Sequence, residues 1–176
     1  MAITVHVGEA SSSISSIQPP TPPRKSWKHH VFMSFRGEDT RTGFTSHLYA
    51  ALKRKGITTY KDDNNLCTGD SISDELLKAI EESMLSVIVL SPNYASSSWC
   101  LDELCKILEC KNKLGQHIVP VFYSVDPSDV RHQKGTFGEA FKKHESRFGE
   151  ESDKVTRWRE ALTQVAGYSG CSSKNQ

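Results

Sequence analysis

The residues whose types and spacing could do chemistry are Trp99 and Glu103, one helical turn apart in Asn93-Tyr-Ala-Ser-Ser-Ser-Trp-Cys-Leu-Asp-Glu-Leu104. An indole and a carboxylate at i and i+4 reach the same pocket, where the ring can stack on a base or nicotinamide while the acid addresses a ribose. Spacing alone gives a plainer reading. Leu101, Leu104, Cys105 and Leu108 form a buried stripe, and at roughly 100° per residue Glu103 lies about 200° from Leu101, on the solvent side. Its place in the chain counters that reading, because ligands of open parallel sheets collect where strands end and helices begin. A second chemical turn, Arg36-Gly-Glu-Asp-Thr-Arg41, follows another apolar run.

Several other chemistries lack their residues. No GxGxxG or GxxxxGK[ST] follows a strand, so a glycine-rich phosphate grip is excluded. A phosphoacceptor module needs an acid after the third strand, where this chain has Ser91-Pro92, and GxSxG is absent too, which leaves Ser96 to Ser98 as helix caps. The seven histidines make no HExxH, and the five cysteines (67, 100, 105, 110, 171) make no CxxC. Three of those cysteines recur every five residues on one helix, which scatters them around it, so no metal is expected and reduced thiols are.

The elements that must position these turns follow from periodicity. Val31–Phe35 is a first strand, and Phe44, Leu48, Ala51 and Leu52 mark a helix that Gly56 ends. Ile57–Tyr60 is a short second strand, followed by a polar loop over 61–69. Ser71 with Asp74 resembles a capping box for a helix with Leu76, Leu77, Ile80 and Met84 on its buried face. Leu85–Leu90 is a β-branched strand ending at Pro92, which cannot donate to a ladder. The Trp99 helix comes next, then Ile118–Tyr123, in which Pro120 argues for an irregular or edge-like stretch. Helical patterns over 137–141 and 155–165 close the chain. Strand and helix alternate four times, as in a parallel sheet wrapped by helices with right-handed crossovers.

The 176 residues suit one domain with a tail: residues 1–26, rich in serine and proline, are expected to be disordered, and 27–176 to be folded. Lys+Arg (22) nearly balances Asp+Glu (21), so the net charge of +1 gives no global case for nucleic acid or an anionic membrane. No apolar run approaches the ~18 residues of a bilayer span and no leader is evident, so a soluble intracellular protein is expected.

Three blocks, VFMSFRGEDTR (31–41), SSSWCLDEL (96–104) and VPVFYSVDPSDVR (119–131), resemble the signature blocks of plant TIR domains, found at the N-terminus of intracellular immune receptors. The resemblance runs from about Trp27 to Gly170. It implies a flavodoxin-like α/β sheet, self-association with other TIR domains, and NAD+ glycohydrolase activity. That activity releases nicotinamide and ADP-ribose or cyclic ADP-ribose-type products that promote immune cell death. NAD+ or NADP+ is then substrate, no further cofactor is implied, and NB-ARC and leucine-rich-repeat regions follow in a full receptor of the cytoplasm or nucleus. By position, Glu103 matches the catalytic glutamate and Trp99 lines its pocket. Arg36, Gly37, Arg41 and Asp63 match positions at the nucleotide site, and Ser46 and His47 match a pair used in helix-to-helix association, Ser46 on the far side of its helix and His47 at the flank. The chain departs from the family in having Thr68 where an arginine is common. It also stops at Gln176, where relatives continue into a last strand and helix, so a truncated C-terminal strand and helix and an inactive TIR scaffold are the competing expectations.

Overall fold

The computed structural model describes residues 25–62 and 72–173. Its strands are β1 (His29–Phe35), β2 (Thr59–Lys61), β3 (Ser83–Leu90), β4 (His117–Phe122) and β5 (Cys171–Ser172). The helices are α1 (Gly37–Thr40), α2 (Phe44–Arg54), α3 (Asp74–Glu81), α4 (Ser98–Leu114), α5 (Pro127–His132), α6 (Thr136–Phe148) and α7 (Asp153–Val165), with a 3-10 turn at Tyr94–Ser96. The strands pair in the order β2-β1-β3-β4-β5, all parallel.

This order follows from the handedness of the connections. Right-handed crossovers send the step from β1 to β2 over one face and every later step over the other. On the first face Val31, Met33, Phe35, Val87, Val89 and Val121 pack against Phe44, Leu48, Tyr49 and Leu52 of α2. On the second, Phe32, Ile88, Leu90 and Phe122 meet the apolar sides of α3, α4, α6 and α7. β1 and β3 are flanked on both sides, which is why their sequences are nearly continuous apolar runs.

Helix ends follow the chemistry of their caps. Gly56, with φ +72°, takes the left-handed conformation just past α2, as its place in the sequence predicts. The Ser97 hydroxyl accepts from Cys100 N to start α4. The cap of α3 is Ser73, whose hydroxyl accepts from Leu76 N; Ser71, the expected capping residue, lies outside the described residues, as do the tail to residue 24, Asp63 and Thr68. Ser73 sits one residue before the first helical turn, where its oxygen reaches an orphan N–H.

Pro120 stands in regular register opposite Ile88, so of the irregular or edge-like stretch expected there the irregular part is corrected and the edge-like part holds. Tyr123 N donates to Leu90 O, so alternation turns Pro120 away from β3 and toward the β5 side, where pairing begins only at Val121 and Cys171. The missing N–H thus costs no ladder bond to β3. Among the described residues no helix is long and apolar enough to cross a membrane.

Candidate functional site

β1 and β3 are neighbours whose chains leave in opposite directions, β1 toward β2 and β3 toward β4. A crevice opens at such a reversal, beyond the carboxyl ends of the strands. Both chemical turns meet there. Asp39, after β1, accepts from Asn93 N at 2.8 Å and from Asn93 Nδ2 at 2.9 Å, clipping the turn after β1 to the turn after β3. The Cys100 thiol in the first turn of α4 contacts Phe35 O at 3.6 Å.

Glu103 is only 1% exposed, contrary to the solvated position its spacing predicts. The leucine stripe is half of a wider buried arc: Cys100, Glu103, Ile107 and Cys110 are buried as well. α4 packs on α7 along one flank and on α3 along the other, with its underside on the sheet, so the angle between Glu103 and Leu101 aims the carboxyl at β1. There Ser34 Oγ donates to Glu103 Oε2 at 2.8 Å. Ser34 is fully buried and also bonds the Tyr94 hydroxyl at 2.8 Å, and that hydroxyl reaches Cys100 O at 3.1 Å.

Burial raises the Glu103 carboxyl from the ordinary 4.5 to about 8, opposed by the Ser34 hydrogen bond and reinforced by the charge of Asp62. Asp62 is buried at the exit of β2. The Trp99 indole is half-buried against the core; its N–H completes no hydrogen bond, yet it lies close enough to draw the Glu103 value down slightly. Burial also raises the Tyr94 and Cys100 groups, keeping both neutral.

Of the other residues expected here, Arg36 pairs with Glu38 at 2.8 Å. Gly37 lies under the Arg41 guanidinium, so closely that a Cβ would stand 2.6 Å from Arg41 Nη2. The two arginines therefore flank the exit of β1, each with an Nε that is buried and without a hydrogen bond. Ser46 departs from the free position expected of it: it is half-buried and its hydroxyl donates to Arg41 O, tying α2 to the site's own turn. His47 is exposed, with Nδ1 2.8 Å from Gly43 O. Sequence reasoning missed Ser34, Tyr94 and Asp62. The one available signal was a lone hydroxyl, Ser34, inside an otherwise apolar strand.

Two contacts from the late helices brace α4 and the turn before it. His144 Nε2 bonds Ala95 O at 2.7 Å, and Trp158 Nε1 donates to Asp102 Oδ1 at 2.9 Å. A cleft of about 440 Å³ beside Trp158, between α3, α4 and α7, has Asp102 in its wall but neither Glu103 nor Trp99. It is thus separate from the crevice at the strand ends. Among the described residues no group of three His, Cys, Asp or Glu side chains is set to hold a metal.

An open parallel sheet with a buried acid at its switch point defines an α/β module of flavodoxin-like topology. The chain belongs to the TIR domain family, whose profile matches residues 28–176. It is 57% identical over 161 residues to disease resistance protein RPV1 of Vitis rotundifolia, a match covering 92% of this chain and 11% of that protein. It is 50% identical over 151 residues to TMV resistance protein N of Nicotiana glutinosa, covering 85% and 13%. The chain thus spans about a tenth of the length of these relatives. Among solved structures, the TIR domains of the activated Roq1 resistosome, which recognises the pathogen effector XopQ, match with a TM-score of 0.79 at 55% identity, over 84% of this chain and 89% of that one.

Proposed function

We propose that this domain is the signalling module of a plant disease-resistance receptor and that, when self-associated, it hydrolyses NAD+ to nicotinamide and ADP-ribose or a cyclic form of it. The observation that carries the reading is Glu103, a carboxyl buried at the switch point and held by Ser34. NAD+ enters as substrate, with NADP+ as the alternative. Its nicotinamide is cationic, and a cation beside a buried carboxyl favours the carboxylate. Binding therefore ionises Glu103 where its charge is needed. The bond between the ribose anomeric carbon and the ring nitrogen breaks, the electron pair leaves with neutral nicotinamide, and positive charge develops on the sugar. Glu103 stabilises that charge. Water adds at the anomeric carbon and releases one proton; attack by a nucleophile of the same molecule gives the cyclic product instead. Trp99 offers a stacking face and Arg36 and Arg41 offer donors to phosphate, with Gly37 leaving room for the Arg41 guanidinium; Asp63 is assigned to the nucleotide site by family resemblance alone.

Neighbouring TIR domains complete the site, with His47 on the exposed side of α2 and Ser46 setting the turn beneath it. NB-ARC and leucine-rich-repeat regions govern when the domains meet, in the cytoplasm or nucleus. Nicotinamide release from NAD+ by concentrated purified domain is the test, read by chromatography beside Glu103→Gln, which keeps the shape and loses the charge. Loss of release by at least ~10²-fold is expected. Release by the Gln variant within a few-fold of wild type would sink the assignment. One observation favours a second reading, a scaffold that only recruits other TIR domains: Glu103 is 1% exposed and already bonded to Ser34, like a structural polar group. That reading prevails if the domain self-associates and releases no nicotinamide at any concentration.

A further inference from the structure

We infer that Ser34, together with Tyr94, is a positioning residue that holds the Glu103 carboxyl in one place through both its protonation states. The inference rests on the role of Glu103 proposed above, and it starts from a chain of hydroxyls shut away from water. Ser34 Oγ lies 2.8 Å from Glu103 Oε2 and 2.8 Å from the Tyr94 hydroxyl, which lies 3.1 Å from Cys100 O. All three side chains are buried, Ser34 and Tyr94 completely.

Each hydroxyl carries one proton and accepts as well, whereas a carboxylate only accepts. With Glu103 ionised, Ser34 donates to it, and the Tyr94 proton goes to Ser34 or to Cys100 O. With Glu103 protonated the direction reverses: the carboxyl donates to Ser34, Ser34 to Tyr94, and Tyr94 to Cys100 O. Neither state leaves a buried hydroxyl proton without an acceptor, so the carboxyl gains and loses its proton without a side chain moving. A structural serine in a strand needs only one partner. This one sits between two, with a carbonyl at the far end that can take the final proton.

The two states are not matched equally. The bond from Ser34 is charge-assisted only when Glu103 is ionised, so Ser34 favours the carboxylate. Burial by α4 and β1 opposes it most, and Asp62 at the end of β2 adds to that by charge. Tyr94 in the 3-10 turn and Cys100 on α4 face the same carboxyl and stay neutral, and Tyr60 of β2 also feels its charge. Ser34 donates to Glu103 within hydrogen-bond distance, and the Trp99 N–H, which completes no hydrogen bond, acts on the carboxyl in the same direction more weakly. Loss of Ser34 therefore moves the acid further from the ionised form.

The test is the pH dependence of kcat/KM for NAD+, together with direct titration of the Glu103 side-chain carboxyl by carbon NMR, in wild type, Ser34→Ala and Ser34→Thr. The Ala variant should raise both midpoints by about one pH unit, cutting kcat/KM at pH 7 about tenfold. Thr keeps the hydroxyl and should return both toward wild type. If Ala does not fold, Ser34→Cys, a weaker donor, should give the same displacement in reduced size. Midpoints in a folded Ala or Cys variant that match wild type would overturn the inference, even if the melting temperature falls, since a merely structural serine affects only the latter. The NMR arm needs no turnover. A raised Glu103 midpoint in a protein that never cleaves NAD+ would leave the positioning chain standing and remove the hydrolase reading alone.

Discussion

Replacing Glu103 by glutamine should make the protein's stability less sensitive to alkali. In the folded chain the carboxyl holds its proton up to about 8, against an ordinary 4.5. Between those values the folded state binds a proton that the unfolded state has lost. Stability contributed by this group is then complete below 4.5 and falls as pH rises toward the folded value, the direction required when the folded state binds more protons. Each pH unit in that window costs about 1.4 kcal/mol, so the ceiling across it is about 5 kcal/mol, an upper limit because water entry and relaxation soften the burial penalty. Glutamine keeps the side-chain shape and can still accept from Ser34, but it does not titrate. Urea midpoints for wild type and Glu103→Gln at pH 5.5, 6.5, 7.5 and 8.5 check this. The wild-type curve should fall relative to the variant at each step and flatten above pH 8. Parallel curves would mean that Glu103 is ionised in the folded state at neutral pH, which would refute the reasoning from burial. Alanine is the poorer probe: at a site 1% exposed it opens a cavity and strands Ser34.

Acid should act on a second buried group. Burial lowers the His144 value, so protonation favours the unfolded chain and this group's stability falls as pH drops below 6.5; denaturation midpoints between pH 7 and 5 should show a shallower acid slope in His144→Gln than in wild type. Gly170→Ala would place a Cβ 2.2 Å from Pro120 O, a backbone atom that cannot swing away, and should destabilise the chain by about 1–3 kcal/mol in a thermal or urea melt. His47→Ala should weaken the concentration dependence of NAD+ cleavage while leaving the melting temperature unchanged, because His47 is exposed. Ser46→Ala should do so while also lowering the melting temperature modestly, through the lost bond to Arg41 O. Light scattering and nicotinamide release over a concentration series distinguish the two.

The sequence alone determined the parts of this protein that rest on local rules. The order of β1 to β4 with the helices between them, the parallel sheet, the end of α2 at Gly56 and a serine start for α4 follow from periodicity, side-chain branching and capping chemistry, all of which act over a few residues; the short α1, α5 and β5 were not legible in this way. The two turns that meet at the strand ends were legible for the same reason. Which side of α4 is buried was not. The periodicity of a helix marks an apolar stripe, but a helix packed on two sides buries an arc wider than its leucines, and Glu103 falls inside the extra part. Ser34, Tyr94 and Asp62 come from three separate places in the chain and meet Glu103 only because β1 lies beside β3 and β2 beside β1. Tertiary structure also tied Ser46 to the site's turn and turned Pro120 toward the short edge strand. The ionisation of an acid depends on how much water and which charges surround it. Those are properties of the packed molecule, so the chemistry of Glu103 was decided by the fold.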